Sequence, residues 1–348
     1  MNKKMRKRIK GTGILILCSA LLWGCGGGKT AQMSEENVVT RDIFAMDTYM
    51  QITACGDAAG EAVEAAVKEI QAIENRVSAE KEGSEIYQAN ETGSALLSED
   101  TAAMVSESLL LNESTQGSFD ITIYPLMRAW GFTTQEYRVP GEEEIAEHLK
   151  KVGSENIRYD ADSRELTLLD GAKIDLGGIG KGYTSGRIMD IFKEYGVESG
   201  LVYLGGNVQV LGAKSDGADW RIAIENPKKD ENYVGVIQVR DKAVITSGGY
   251  ERFFEEKGEV WHHILDPKTG YPARSGLSSV SIVSENGMLA DGLSTALFVM
   301  GKEKALSFWR GQNMAFDVIL VEEDGSITIT EGLRDAFTSE NSFEVATR

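Results

Sequence analysis

The run Ile174-Asp175-Leu176-Gly177-Gly178-Ile179-Gly180-Lys181-Gly182-Tyr183 precedes a helical pattern and is the most informative stretch of the chain. Glycines let backbone N–H groups approach a phosphate closely, and the start of a helix adds positive potential. Lys181 adds a full charge, so the run predicts a diphosphate cradle. It is not a Walker A loop, because Gly182 follows the lysine where Ser or Thr is needed. Without a ligand, the same run reads as a tight strand-to-helix turn.

The segments around this run mix strand and helix patterns. An opening strand over residues 44–52 precedes a helix with apolar residues spaced from Val63 to Val77, and further helices are predicted over residues 100–115, 182–195, 289–300 and 302–310. β-rich segments separated by turns cover residues 165–169, 200–210, 220–225, 234–239 and 243–246. The mixture predicts an α+β fold, as a single large domain of two closely packed lobes, and not a regular βαβ repeat.

A second chemical signal lies in the run Ala290-Asp291-Gly292-Leu293-Ser294-Thr295-Ala296-Leu297-Phe298. Residues four apart share one face of a helix, so the carboxylate of Asp291 and the hydroxyl of Thr295 converge, with Ser294 adjacent. An oxygen-only pair suits Mg²⁺, which completes its shell with water and substrate phosphate. The alternative is an aspartate that caps an exposed helix start, with the threonine bonded back to the helix.

A third signal is the pair His262 and His263 in the run from Trp261 to Pro272. Adjacent residues on a strand point to opposite faces, so only one of the two histidines can address a site. That histidine could take a proton from an attacking hydroxyl. Zinc is disfavoured, because no third ligand of the usual type lies at a suitable spacing. His148 has no ligand-like neighbours and is expected on an exposed helix.

The beginning of the sequence is typical of a bacterial lipoprotein signal, expected over residues 1–24. Six basic residues precede Gly11, and an apolar run from Ile14 to Trp23 leads to Cys25, the expected lipidation site. That run is about ten residues long, whereas a membrane-spanning helix needs roughly twenty. Residues 25–40 are expected to form a lipidated, flexible tether, residues 41–338 the folded domain, and residues 339–348 a frayed tail.

Charge and cysteine content narrow the function classes. The formal net charge is −18, and loss of the six signal-peptide basic residues takes it to about −24. A nucleic-acid partner is therefore disfavoured, since phosphate backbones bind basic surfaces. Of the three cysteines, Cys18 would leave with the signal and Cys25 would carry lipid, so Cys55 is left alone and a disulfide framework is excluded.

Seven runs in order resemble the ApbE family of FAD:protein FMN transferases over about residues 42–337. They are GSFD from residue 117, WGF from 130, IDLGGIGKGY from 174, LGGN from 204, TSGGYERFF from 246, HHILDPKTGYP from 262 and ADGLSTALFVMG from 290. The resemblance implies a T-fold-related architecture, Mg²⁺ dependence, export as a lipoprotein, and FAD as the donor substrate.

The resemblance also implies roles for individual residues. His263 matches the family's proposed active histidine. Two departures stand out: Asp47 occupies a position where glycine is usual, and Glu80 occupies the place where an aromatic residue often stacks on adenine. The implied metal site falls on Asp291, Thr295 and the backbone oxygen of Gly178, with Ser294 nearby; the implied FAD contacts are Met46, Ser118, Phe119, Asp120, Asp175, Lys181 and Ile264.

The expected reaction transfers the FMN half of FAD to a Thr or Ser hydroxyl of an acceptor flavoprotein and releases AMP. Either His263 or Asp175 could be the base. The alternatives are an FAD pyrophosphatase, in which water replaces the hydroxyl, and a lipoprotein that binds FAD without chemistry. By family analogy, the acceptor is a flavoprotein subunit of a membrane redox complex or an extracellular reductase. The enzyme itself is expected to be anchored by its lipid on the outer side of the cell membrane.

Overall fold

The computed structural model describes residues 37–228 and 232–348, and the bounds of their secondary structure are as follows. The strands are β1 Val38–Ala45, β2 Thr48–Cys55, β3 Ser94–Leu96, β4 Ile157–Asp160, β5 Glu165–Leu168, β6 Ser199–Leu204, β7 Asn207–Leu211, β8 Trp220–Glu225, β9 Tyr233–Val239, β10 Ala243–Gly248, β11 Phe253–Glu256, β12 Glu259–His262, β13 Leu277–Ser284, β14 Asp317–Glu322, β15 Ile327–Thr330, β16 Phe337–Thr338 and β17 Glu344–Ala346. The helices are α1 Ala59–Val77, α2 Glu85–Thr92, α3 Glu99–Ser114, α4 Tyr124–Ala129, α5 Glu142–Leu149, α6 Gly180–Glu194, α7 Gly287–Met300 and α8 Lys302–Gly311.

A nine-stranded sheet forms the centre of the molecule. Its strand order is β1-β2-β6-β7-β10-β13-β14-β15-β17. Neighbouring strands are antiparallel, except that β15 and β17 run parallel. Helices α1 to α8 and three small sheets join this sheet in one compact unit. The α+β fold in a single domain is therefore confirmed, and the two expected lobes form one body in the described residues.

Helices α1, α6 and α7 supply much of the apolar packing that positions the later site. Apolar residues of α1 recur three or four positions apart, and Val63, Ile70 and Ile73 are buried as a result. Val63 and Ile70 share one core cluster with Ile52 of β2 and Phe192 of α6. Helix α7 packs on β10 and β13. None of the helices in residues 37–228 and 232–348 combines the length and apolarity needed to cross a bilayer.

A separate aromatic cluster joins α4 and α5 to the β11–β12 hairpin. Trp130 is fully buried and its indole N–H donates to the carbonyl oxygen of Gly270 at 2.9 Å. Its ring lies 5.2 Å from that of Trp261 on β12 and 6.3 Å from that of Phe254 on β11, measured between ring centres. This packing fixes the hairpin, which ends at His262, and the loop that follows it, which begins at His263.

Two predicted single strands are hairpins. Residues 44–52 split into β1 and β2 around a turn in which Met46 and Asp47 both have positive φ, 48° and 57°. Residues 200–210 likewise split into β6 and β7 around Gly205 and Gly206, with φ of 57° and 96°. The first turn contains no glycine, which leaves it without the usual hairpin signal, whereas Gly205-Gly206 is such a signal and the predicted single strand ran through it.

The expected boundaries of the domain need correction at both ends. The signal segment, Cys25 and residues 25–36 of the tether lie outside the described residues, but β1 already begins at Val38, where it pairs with Cys55. The tail over residues 339–348 is not frayed, because β17 adds to the sheet beside β15 and the side chain of Arg310 donates to the carbonyl oxygen of Thr347 at 2.8 Å. His148 is half-buried on α5 and not exposed.

Candidate active site

One cleft gathers residues from the runs that carried the sequence argument. It encloses about 910 Å³, counting the space open to solvent. Residues of α6 and α7 form one wall, and the segments on either side of the β11–β12 hairpin, residues 251–252 and 263–267, form the other. The lining residues are Ser118, Phe119, Asp120, Ile121, Ile123, Met127, Asp175, Gly177, Gly178, Lys181, Thr246, Ser247, Glu251, Arg252, His263, Ile264, Leu265, Pro267, Asp291 and Thr295.

The glycine-rich run forms a turn into α6. The helix begins at Gly180, two residues earlier than expected, and the residues before the turn are a loop and not a strand. The carboxylate of Asp175 accepts a hydrogen bond from the Gly177 N–H at 2.8 Å. Lys181 lies in the first turn of α6, where its ammonium group donates to the carbonyl oxygen of Gly205 at 3.3 Å. The cleft therefore receives a helix start and a lysine side by side.

Helices α6 and α7 approach each other through glycine. A Cβ atom on Gly182 would lie 2.2 Å from the carbonyl oxygen of Gly287 and 2.6 Å from the Cβ atom of Asp291. No other side chain fits this contact without a shift of backbone. The close approach brings the Gly182 N–H to 2.8 Å from a carboxylate oxygen of Asp291.

Asp291 is buried inside α7, contrary to the expectation of an exposed helix-capping residue. The helix begins at Gly287, and the capping side chain is Asn286, which accepts from the Leu289 N–H at 3.1 Å. Only 4% of Asp291 is exposed, and its second carboxylate oxygen accepts from the side-chain amide of Asn207 at 3.0 Å. Burial raises its pKa, while the positive charge of Lys181 opposes that shift.

The two hydroxyl residues of the expected metal site lie in different places. Thr295 lines the cleft, with its hydroxyl 3.2 Å from that of Ser247. Ser294 is fully buried, hydrogen-bonds to Ser247 at 2.7 Å and donates to the carbonyl oxygen of Asp291 at 2.8 Å. Ser294 thus holds Ser247 and the helix backbone, while Thr295 faces the cleft with Asp291.

The oxygen atoms at this wall fit Mg²⁺. Gly178, Asp291 and Thr295 together line the cleft and offer a backbone carbonyl, a carboxylate and a hydroxyl. Mg²⁺ takes few protein ligands and keeps water or phosphate as the others. Within the described ranges, no group of three or more His, Cys, Asp or Glu residues could hold a metal. The three oxygen donors suit a hard cation that shares its shell with a phosphate.

The opposite wall presents His263. The Nδ1 atom of His263 lies 3.2 Å from the carbonyl oxygen of Arg252. Since a carbonyl oxygen can only accept, this contact requires a proton on Nδ1 and leaves the lone pair on Nε2. Burial lowers the pKa of His263 well below 6.5, and the nearby charge of Arg252 lowers it further. The imidazole is therefore neutral and able to accept a proton.

His262 points away from the cleft. Its Nε2 atom lies 3.0 Å from the carbonyl oxygen of Ala273, and its ring meets the ring of Phe298 edge-on at 5.5 Å between centres. Only His263 of the pair lines the cleft. The adjacent histidines thus address opposite sides, as a strand requires.

Several residues of the cleft were not singled out from the sequence. Thr246, Ser247, Glu251 and Arg252 all belong to the TSGGYERFF run, which was treated as a turn beside a strand. Burial raises the pKa of Glu251 to about 7, while Lys181 and Arg252 act against the shift. The signal available was the pair of opposite charges in a run that follows a buried strand.

Met46, Ser294 and Glu80 are outside the lining of this cleft. The N–H of Met46 donates to the Glu74 carboxylate at 3.1 Å. Glu80 accepts from the hydroxyl of Tyr124 at 2.7 Å. At the position that the resemblance assigns to adenine stacking, this chain thus has a carboxylate hydrogen-bonded to a tyrosine.

Comparison with known proteins gives consistent results. The model of the ApbE family matches residues 46–320. The FAD:protein FMN transferase of Haemophilus influenzae is 32% identical over 80% of this chain and 82% of its own length, and that of Vibrio cholerae is 31% identical over 74% and 78%. Among solved structures, the ApbE protein of Thermotoga maritima superimposes with a TM-score of 0.81 at 34% identity, covering 86% of this chain and 99% of that one.

Proposed function

This chain belongs to the ApbE family, and we propose that it is an FAD:protein FMN transferase that moves the FMN half of FAD onto a Thr or Ser hydroxyl of an acceptor protein. One observation carries the proposal. A single cleft combines a glycine turn with Lys181, the oxygen donors around Asp291, and the neutral His263. Phosphoryl-group transfer depends mainly on positioning and charge neutralisation, and these groups supply both.

The α6 wall binds the pyrophosphate of FAD. Gly177, Gly178 and Lys181 line the cleft where α6 begins, so the positive end of the helix dipole lies close to it. The N–H groups of Gly177, Ile179, Gly180 and Gly182 already donate to acceptors within the protein, so the charge on Lys181 is the main group that this wall offers to a phosphate. Lys181 adds a positive charge that the carbonyl oxygen of Gly205 holds in place. Preorganised donors of this kind stabilise the charge that develops on the phosphate oxygens during transfer.

Mg²⁺ is part of the proposal. Asp291, Thr295 and the carbonyl oxygen of Gly178 would hold the ion. When bound, it would neutralise charge on the diphosphate as a Lewis acid. The oxygen-only donors and the lysine beside them support this assignment.

His263 accepts the proton of the attacking hydroxyl at Nε2. The hydroxyl oxygen forms a bond to the FMN-side phosphorus of FAD, the bond from that phosphorus to the bridging oxygen breaks, and AMP leaves. The carbonyl oxygen of Arg252 orients the imidazole by accepting a hydrogen bond from its Nδ1–H. Asp175 remains the second candidate base: its carboxylate accepts from the Gly177 N–H, and burial raises its pKa, which would strengthen it as a base.

The proposed setting is the outer side of the cell membrane, with a lipid on Cys25. Support comes from the six basic residues, the short apolar run and the cysteine that follows it. The proposed acceptor is a flavoprotein subunit of a membrane redox complex or an extracellular reductase, which this location would reach. We expect Cys25→Ser to leave an unlipidated precursor, and normal retention in the membrane fraction would contradict the anchor.

Incubation with FAD, Mg²⁺ and a co-expressed flavoprotein subunit tests the activity. Mass spectrometry of the subunit should show covalent FMN on a Thr or Ser, with one AMP released for each FMN attached. Free FMN with AMP and an unmodified subunit would indicate a pyrophosphatase instead. Bound FAD without AMP would indicate a binding protein without chemistry.

A further inference from the structure

The turn between β6 and β7 contacts three charged groups of the cleft. The carbonyl oxygen of Gly205 accepts from Lys181 at 3.3 Å, and the side-chain amide of Asn207 donates to Asp291 at 3.0 Å. A Cβ atom on Gly206 would lie 3.3 Å from a carboxylate oxygen of Glu251. Two consecutive glycines with positive φ make this close approach possible. The turn therefore sets the relative positions of groups on α6, α7 and the loop before β11.

The hydrogen bond to Asp291 fixes the orientation of the Asn207 side-chain amide. Its side chain is 1% exposed, and the Asp291 carboxylate can only accept, so the NH₂ group and not the oxygen must face it. The remaining carboxylate oxygen of Asp291 is held by the Gly182 N–H at 2.8 Å. Both oxygens of Asp291 thus have a fixed donor, and lone pairs on each remain for a cation.

The geometry points to Asn207 as a positioning residue that aims the Asp291 carboxylate at a divalent cation in the cleft. This inference rests on the proposed Mg²⁺ site. The side-chain oxygen of Asn207 is itself buried without a hydrogen-bond partner among the described residues. Leaving a buried oxygen without a hydrogen bond is unfavourable, so the amide contributes more at this position than filling space. Partners that orient a metal ligand govern metal affinity through that ligand.

The same strand offers a matched control. Gln209 lies two residues further along β7, is 5% exposed, and accepts from the Ser185 hydroxyl at 2.6 Å. It contacts α6 as Asn207 contacts α7, but it is not bonded to Asp291. Removal of either amide therefore deletes a buried polar contact between β7 and a helix. Only the loss of the Asn207 amide removes a hydrogen bond from Asp291, the proposed metal ligand.

The test measures metal binding directly. Mn²⁺ alone, which prefers the same carboxylate and carbonyl donors, is titrated into the full chain and followed by EPR. We expect Asn207→Leu to weaken binding about 10-fold to 100-fold and Gln209→Met to leave it within about 2-fold, while both variants lose thermal stability. Equal affinity of Asn207→Leu and the unaltered protein would overturn the positioning role. Failure of the unaltered protein to bind Mn²⁺ would overturn the metal site itself, and the inference with it.

A double-mutant cycle separates positioning from general damage. In an Asp291→Asn background, the further change Asn207→Leu should alter Mn²⁺ affinity less than 2-fold, because the ligand that it orients is already lost. A full additional loss in that background would contradict the inference. Asn207→Ala, which adds no bulk beside Asp291, takes the place of the leucine variant in the same cycle if the latter does not fold.

Discussion

The two walls of the cleft are built in different ways. The α6–α7 wall is continuous with the largest core cluster, and Asp291 is buried in it with both carboxylate oxygens bonded. The opposite wall is formed by the segments that flank the two-stranded β11–β12 hairpin, and Phe253 and Val260 of that hairpin are about half exposed. His263 is held there through the backbone carbonyl of Arg252.

Because the two walls differ in burial, substitutions on them should affect activity and stability to different degrees. On the α6–α7 wall, the groups that would bind metal and phosphate also hold two helices together, so a substitution affects both. On the hairpin wall, the base is attached to a peripheral element anchored by aromatic packing around Trp130. Substitutions there should change chemistry while the core remains intact.

The largest effect is expected for Asp291→Ala. It removes the one carboxylate of the proposed metal site, so we expect Mg²⁺-dependent transfer to fall by about 10³-fold or more. It also leaves the Gly182 N–H and the Asn207 amide without their acceptor, which should lower the free energy of unfolding by about 1–3 kcal/mol. The measurements are single-turnover transfer and urea denaturation.

Asp291→Asn provides the control, because it keeps the side-chain volume and removes the charge. It should be as inactive as the alanine variant but lose less stability. Full activity of either variant at low Mg²⁺ would show that the cation binds elsewhere. An alanine variant with unchanged stability would remove the contrast between the two walls.

His263→Ala should slow transfer by about 10²-fold to 10⁴-fold, the usual range for a lost general base. Its FAD affinity and stability should change little, because the side chain makes one hydrogen bond to a backbone carbonyl. The matched variant is His262→Ala, which removes the contacts with Ala273 and Phe298 and should lower stability without slowing chemistry. If both variants stay active, Asp175 becomes the leading candidate base.

A glycine pair on α6 tests the packing of the other wall. Gly182→Ala places a Cβ atom against Gly287 and Asp291, and we expect a loss of about 1–3 kcal/mol in the free energy of unfolding. Gly186→Ala, one turn further along, meets no atom within 4 Å and should stabilise the helix by about 0.5–1 kcal/mol. Thermal unfolding of both variants measures the two stability changes. Equal changes would show that the contact between α6 and α7 at Gly182 is not tight.

The local pattern predicted elements better than their connections. Apolar spacing indicated α1, α3, α6, α7 and α8, because each buries one face or more. It could not show that β2 pairs with β6 or that β17 joins β15 in parallel, since such pairings depend on distant segments. The tail was misjudged for that reason: Glu344–Ala346 has no apolar alternation, and its order comes from the strand beside it.

Motif order indicated the composition of the cleft but not the state of its side chains. Asp291 was expected near an exposed helix start because the predicted helix began at Leu289, whereas α7 begins at Gly287 with Asn286 as its cap. Asn207 and Glu251 carry no spacing signal of their own. Only the close approach of the β6–β7 turn brings them to the charged groups.

Glu251 gives the smallest expected effect and links the two walls. It precedes β11 on the hairpin side, yet the nearby charges that act on its pKa include Lys181 and Asp291 of the opposite wall. Burial raises the pKa of this carboxyl from 4.5 to about 7, so the folded protein binds the proton more tightly than the unfolded chain. The stability that this proton contributes is complete below pH 4.5 and is lost as pH rises through about 7. Glu251→Gln stays neutral, so without Mg²⁺ its stability relative to the unaltered protein should rise across that window, by on the order of 1 kcal/mol.

Urea denaturation at pH 4.5, 6 and 8 measures this change in stability. The control is Glu255→Gln, which replaces an exposed carboxylate of β11 and should show no such trend. A pH dependence identical to that of the unaltered protein would mean that Glu251 is solvated, and that the hairpin wall is more open than its contacts with the α6–α7 wall indicate.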